Sequence, residues 1–291
     1  MMLNYMSKPL VSVIIPCFNV GKTIQETLES VIKQTYPSFE VIVVIDGATD
    51  NTADIVKNIA SQQSNIIVCE QENKGSSSAR NTGFLQSSGE YIVFLDGDDL
   101  FAPTYLEACY SKFAENPEVG LVYTNTILFE AENGLLDIPD YSPNEILIDN
   151  SIPATALIRR DIFQAVGMCD TSLPYAEDWE LWIRYTRYNE NVVKIEEPLF
   201  YYRRRHSKDS KTDLNKINNI SEQAQLYIYK KHYTLYQKEG LSVNELFKIR
   251  NEVFYLRKKV RKYETRYYGI WYRKLFYRLF KPNFYKSIFD R

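Results

Sequence analysis

The chain has 291 residues, 45% of them hydrophobic and 25% charged, with four cysteines and a formal net charge of −2. This composition excludes collagen-like, disulfide-scaffold and disordered acidic chains. The small net charge is a cancellation, because residues 1–213 carry 17 Lys+Arg and 31 Asp+Glu, whereas residues 214–291 carry 18 and 6. That asymmetry predicts an acidic body over 1–213 with a basic extension over 214–291.

Along the body, short apolar β-branched runs alternate with helical windows. Strands are predicted at 11–15 (VSVII), 41–45 (VIVVI), 66–70 (IIVCE) and 91–95 (YIVFL), with helices at 22–34, 52–62 and 76–86 between them. Strands that read as continuous apolar runs are covered on both faces, as in parallel sheets. Their alternation with helices at this spacing predicts right-handed βαβ units and a nucleotide-binding type of α/β fold. Beyond residue 100 the pattern loosens. It gives a helix at 104–115, a strand at 120–129, a loop-rich stretch at 130–150, a short strand at 154–158 and a helix at 161–166. A helix at 178–188 follows, with Trp179, Trp182 and Ile183 on its apolar side, and then two strands at 192–195 and 199–202. Residues 214–291 read as all-helical.

Cys17, Cys69, Cys109 and Cys169 are too far apart for a CxxC or Cys/His zinc pattern, which predicts buried or half-buried thiols in a reducing compartment. The N-terminal MMLNYMSKPLVSVIIPCFNV holds a strand-sized apolar piece rather than a signal-peptide core. No apolar run reaches about 18 residues, so any relation to a membrane is expected to be one of lying on it.

Ligands of open α/β sheets bind outside the carboxyl ends of the strands, and two acidic groups fall there. Asp46 ends VIVVID, and Asp96, Asp98 and Asp99 follow YIVFL. Three carboxylates in four residues repel one another unless a cation sits among them. Mg²⁺ or Mn²⁺, held by one or two carboxylates plus substrate phosphates, suits that turn.

At these residues the chain resembles the inverting family 2 glycosyltransferases of bacterial type, with the Rossmann-like GT-A fold and a mostly parallel central sheet. VSVIIPCFN, VIVVIDGATDNT, QENKGSSSARNTG, YIVFLDGDD and GMCDTSLPYAEDWELWIR agree with that family's motifs in order across about residues 9–206. The resemblance implies a metal-dependent, hexosyltransferase-type enzyme. It would move a sugar from a nucleotide sugar, UDP-linked, to a glycan or polyprenyl-linked hydroxyl in surface-polysaccharide or glycolipid assembly. It also implies site residues. Pro16, Phe18, Asn19, Asp46, Arg80, Asp96 and Gly97 would bind the donor, with Asp46 reading uracil N3–H. Asp98, Asp96 and His206 would hold the metal. Asp178 of the ED motif would be the catalytic base, with Glu177 as its runner-up. Ile45 and Ala48 depart from the family pattern, as does Arg203 within Arg203–Arg204–Arg205–His206, a basic run read as a diphosphate clamp or a lipid contact. Trp179 and Trp182 read either as an acceptor platform or as core. A sugar nucleotidyltransferase and a catalytically silent nucleotide-sugar-binding protein of the same fold remain as alternatives.

The extension is densest in charge and rings over 253–291, with 12 Lys+Arg, two acids and 13 aromatics. Residues 266–281 read as one amphipathic helix, with Tyr268, Trp271, Tyr272, Leu275 and Leu279 on one face and Arg and Lys flanking it. An apolar-aromatic face with a basic rim suits an anionic lipid surface. This predicts a cytoplasmic protein peripheral on the inner membrane face. Nothing in the acidic body would complete a nucleic-acid site, and a homo-oligomer is left open.

Overall fold

The computed structural model describes residues 9–206 and 220–281. The boundary expected at 213/214, the first eight residues and the last ten lie outside them. Packing divides the chain into Met1–Ile228 and Tyr229–Arg291.

In the first unit, β1 (Val11–Cys17), α1 (Ile24–Ile32), β2 (Phe39–Asp46), α2 (Thr52–Ala60), β3 (Ile66–Gln71), α3 (Ser76–Gln86) and β4 (Tyr91–Phe94) follow in the expected order. After them come β5 (Leu100–Phe101), α4 (Tyr105–Glu115), β6 (Leu121–Glu130), β7 (Gly134–Leu135), β8 (Leu157–Arg159), α5 (Arg160–Ala165), α6 (Glu177–Tyr188) and β9 (Val192–Arg204). One sheet orders them β3-β2-β1-β4-β8-β6-β9-β5, with β7 on the edge of β6. The β3-β2-β1-β4 half is parallel, as is β6 with β9. β8 runs antiparallel to both of its neighbours.

Successive strand residues point to opposite faces, and here both faces are buried. Val13, Ile15, Val41, Val43 and Val93 join one core with α1 and α4 residues such as Leu28 and Cys109. On the α3 side, Phe163 of α5 sits 4.8 Å from Phe84 and 5.5 Å from Phe94, ring centre to ring centre. Gly83 lets α3 approach that face. A Cβ there would collide with Ile14 Cγ2 and lie 3.2 Å from Val44 Cγ2. Gly83→Ala therefore overpacks the helix–sheet contact. We expect a loss of about 1–3 kcal/mol in chemical denaturation; an unchanged midpoint would mean that the helix shifts freely.

Two expectations change, and one open alternative is decided. The strands expected at 192–195 and 199–202 are one strand, because register shifts opposite Thr124, Asn125 and Thr126 absorb the segment around Pro198 without ending the ladder. The short strand expected at 154–158 forms at Leu157–Arg159 instead, after Pro153. The tryptophans of α6 are core rather than an acceptor platform: Trp182 is fully buried, and nearly buried Trp179 donates its Nε1–H to Ile146 O at 2.5 Å. All four cysteines are free thiols, with Cys17, Cys109 and Cys169 buried and Cys69 half-buried.

Helix α7 (Ile220–Lys231) crosses the division between the units. The second unit continues with α8 (Tyr233–Lys238), α9 (Val243–Tyr268) and α10 (Trp271–Phe280). The single helix expected over 266–281 is broken. Ile270, at ψ 126°, leaves helical geometry and becomes the N-cap of α10, so Tyr268 ends the preceding helix rather than sharing a face with Trp271. Among the described residues, no helix is long and apolar enough to cross a membrane.

Candidate active site

A cleft of about 890 Å³ opens at the carboxyl ends of the parallel strands. β1 delivers Pro16 and Phe18 to it, β2 delivers Asp46, and the turn after β4 delivers Asp96, Gly97, Asp98 and Asp99. The first turn of α6 adds Glu177 and Asp178, and α3 adds Arg80. The motifs, dispersed over more than 160 positions, therefore converge because parallel strands end side by side.

Arg80 is the link between them. It is only 4% exposed, donating from Nη1 to Glu177 Oε1 and from Nη2 to Asp96 Oδ1, both at 2.8 Å. One guanidinium fork thus ties the DxD turn to the ED turn, a geometry an ammonium does not reproduce. Ser76, at the start of α3, also donates to Glu177 Oε1, at 2.6 Å. Both terminal nitrogens of Arg80 are engaged inside the protein, which makes it a strut in the cleft wall.

Asp178 is half-buried in the first turn of α6, where acids are favoured, and accepts from Asn150 Nδ2 at 3.0 Å. Burial, reinforced by the neighbouring Glu177 charge, pushes its carboxyl up to about 6, against the opposing pull of Arg80. Burial and Asp96 likewise raise the Asp98 carboxyl, against Arg205, whose Nη2 reaches Asp98 Oδ2 at 2.6 Å. Asp99, 2% exposed, accepts Arg203 N–H at 2.8 Å; burial and its two neighbouring carboxylates raise it well above the usual range.

Asp46 accepts from Gln71 Nε2 (2.7 Å), Lys74 N (2.8 Å) and Gly75 N (2.9 Å), so it organises the loop into α3 as well as facing the cleft. Phe18 is half exposed at the cleft edge. Asn19 is not brought to the cleft lining; at φ +52° it accepts Thr49 N–H at 2.8 Å and holds the 47–50 turn. His206 is exposed and also lies outside the lining. The three arginines before it separate. Arg203 is a buried clamp on Glu26, Glu130 and Asp98 O, Arg204 pairs with Glu132, and Arg205 alone pairs with a DxD carboxylate. Asn150, Gln71, Ser76 and the Arg205–Asp98 pair escaped sequence reading. Gln71 carries a signal in hindsight, since it is the register partner of Asp46 across β2 and β3.

Six carboxylates line the cleft (Asp46, Asp96, Asp98, Asp99, Glu177 and Asp178) against Lys74, Arg80, Arg203 and Arg205. This excess of hard oxygen donors fits a divalent cation. Asp96 and Asp98 are the two carboxylates at the turn, and one or two carboxylates plus substrate phosphates are the usual holders of Mg²⁺. Among the described residues no group of three or more His, Cys, Asp or Glu forms a ready-made metal cage, so a donor diphosphate would have to complete such a site.

A family model described as Glycosyl transferase family 2 matches residues 12–167. An uncharacterized glycosyltransferase of Rickettsia typhi is 31% identical over 232 residues, covering 75% of this chain and 70% of that protein. The glycosyltransferase GlyA of Streptococcus pneumoniae is 42% identical over 105 residues, which span 36% of this chain and 15% of GlyA. The chain belongs to glycosyl transferase family 2. Its fold is that of the TarS 1–349 structure from S. aureus in complex with UDP, with a TM-score of 0.57 at 22% identity over 72% of this chain and 63% of that one. The mannosyltransferase PcManGT from Pyrobaculum calidifontis, in complex with GDP-Man and Mn²⁺, matches with a TM-score of 0.54 at 22% identity over 68% of this chain and 57% of that one.

Proposed function

We propose that this glycosyltransferase carries a sugar from a UDP-sugar to a hydroxyl of a glycan or lipid-linked acceptor, by single displacement with inversion. The setting we propose is surface-polysaccharide or glycolipid assembly. The observation that carries the reading is the cleft itself, in which the raised carboxyl of Asp178 and the Asp96–Asp98 turn are joined through Glu177 and Arg80.

In this reading Asp178 accepts the proton of the acceptor hydroxyl as its oxygen attacks the anomeric carbon. The sugar–phosphate bond breaks and the nucleoside diphosphate leaves with the electron pair. Glu177, held by Arg80 and Ser76, positions the turn that presents Asp178. Asp46 takes the uracil N3–H and Phe18 lies along the base, with Pro16 and Gly97 shaping the donor wall. Asp98 and Asp96 would hold Mn²⁺ or Mg²⁺, and the ion, when bound, supplies charge neutralisation to the departing diphosphate. Arg205 is placed to join it there. TarS with UDP and PcManGT with GDP-Man and Mn²⁺ support a nucleotide-sugar donor by likeness of fold. We further propose that residues 1–213 form the catalytic domain and 214–291 an accessory one. Its exposed Trp271, Leu275 and Leu279, beside Arg273, Lys274 and Arg278, suit an anionic membrane surface on the cytoplasmic side.

The test is a thermal-shift panel of nucleotide sugars with and without Mn²⁺. A donor at about 100 times its Kd stabilises the native state by about 2.7 kcal/mol. We expect a UDP-sugar with Mn²⁺ to give the largest rise and Asp98→Ala to remove its Mn²⁺-dependent part. A panel in which no nucleotide sugar shifts the wild type, or in which Asp98→Ala keeps the full shift, would refute the reading.

A further inference from the structure

Helix α9 runs 26 residues with not one of them buried. Polar helices of that length are held by charge pairs; this one instead carries a regular apolar stripe. Leu246, Ile249, Val253, Leu256, Val260 and Tyr263 recur at alternating intervals of three and four residues, and Tyr267 continues the series. All six are 39–62% exposed. Alternation of three and four is the heptad repeat of a coiled coil, with Leu246, Val253 and Val260 at a and Ile249, Leu256 and Tyr263 at d. Val253 and Val260 at a with Leu256 at d form the pattern that favours two parallel strands, which outweighs the single Leu246–Ile249 heptad, whose Leu at a and Ile at d lean to higher order.

The flanking positions identify the partner. In a parallel pair, each g residue faces the e residue five positions on in the other helix. Here g is Glu245, Glu252 and Lys259, and e is Arg250, Arg257 and Glu264. Every g residue therefore meets an opposite charge in a second copy of the same chain: Glu245 with the second copy's Arg250, Glu252 with its Arg257, Lys259 with its Glu264. Glu245 also closes the capping box with Ser242, its backbone N–H accepted by Ser242 Oγ, so the other two pairs carry most of the selection. An antiparallel pair centred on the seam would set Arg250 against the second copy's Arg257. The seam also has defined ends. Ser242 caps its start, and at its close Arg273 lies 3.8 Å over the Tyr267 ring where the chain turns into α10.

We propose that α9 is a dimerisation helix that pairs two copies of this chain as a parallel, two-stranded coiled coil in register. The self-complementary charges favour a second copy over a lipid surface, which would be served by uniform basic flanks.

Sedimentation equilibrium on the full chain, without lipid, tests this directly. The expected mass is twice the 34.1 kDa of one chain, and a Val253→Lys, Leu256→Lys double variant should run as a monomer. Far-UV circular dichroism of the catalytic body's signal and donor-induced thermal shift report whether that variant is otherwise folded. Glu252→Arg should raise the dimer Kd by about ten-fold, since two attractive pairs become repulsive. Adding Arg257→Glu should restore it. A monomeric wild type, or a dimer indifferent to both the seam and the charge reversal, would overturn the proposal. So would a monomer that binds 3:1 phosphatidylcholine–phosphatidylglycerol vesicles through Val253 and Leu256, which would make the seam a lipid face.

Discussion

Asp178→Asn is expected to lower the turnover of sugar transfer by about 10³-fold while donor binding stays unchanged. Asparagine keeps the shape and still accepts from Asn150, whose Nδ2 lies 3.0 Å from Asp178 Oδ2, so the turn should survive. What it loses is the basic oxygen. The pH dependence gives a second readout. With the wild-type carboxyl raised to about 6 by burial and by Glu177, the base is ionised above that pH, and the rate should fall as pH drops through it. Linkage makes a further statement of definite sign. A carboxyl raised in the folded state adds stability below its unfolded value, near 4, and loses that contribution as pH rises through about 6. The asparagine variant should therefore gain in Tm relative to wild type above pH 6, and the gain should shrink towards pH 4. Turnover within a few-fold of wild type, or an acid limb that persists unmoved in whatever activity remains, would remove Asp178 from the role of base.

The second large effect is on stability. Arg80→Met strips the charge that two carboxylates share. It leaves Glu177, whose side chain is 8% exposed, buried without its main partner. Breaking a buried ion pair from one side costs about 3–5 kcal/mol, which lowers Tm by roughly 10 °C for a chain of this size. Asp96, whose side chain is 45% exposed, contributes little to that loss because water screens it. Two companions sharpen the test. Arg80→Lys retains the charge and reaches one carboxylate at a time, so it should fall between. Adding Glu177→Gln to Arg80→Met removes the stranded charge and should recover part of the loss. Calorimetry that finds Arg80→Met within about 1 kcal/mol of wild type would show that the strut is dispensable.

The contrast between these two residues shows how far the amino-acid string could be read. Both Asp178 and Arg80 stand out from motifs and both line the cleft, but their surroundings differ in how local they are. A carboxylate in the first turn of a helix behind a sheet edge is a local feature, and α6 starts at Glu177, one residue from where periodicity put it. Arg80 was expected to touch the nucleotide. Its partners within the protein lie 16 and 97 positions away, and no window of sequence pairs α3 with the start of α6. Asn19 and Arg203 likewise take partners from across the fold, Thr49 for the one and Glu26, Glu130 and Asp98 for the other.

Local patterning was enough for the βαβ order from β1 to β4, the placement of acids at strand ends, the contrast between acidic body and basic extension, and membership of the α/β class. Each rests on short-range physics: residue periodicity, burial on two faces, charge counted along the chain. The antiparallel insertion of β8 between β4 and β6, the single bulged strand β9 and the buried tryptophans of α6 were settled only by packing. In each case the deciding energy comes from neighbours distant in sequence, which compete with local propensity and, for a buried side chain or a paired strand, outweigh it.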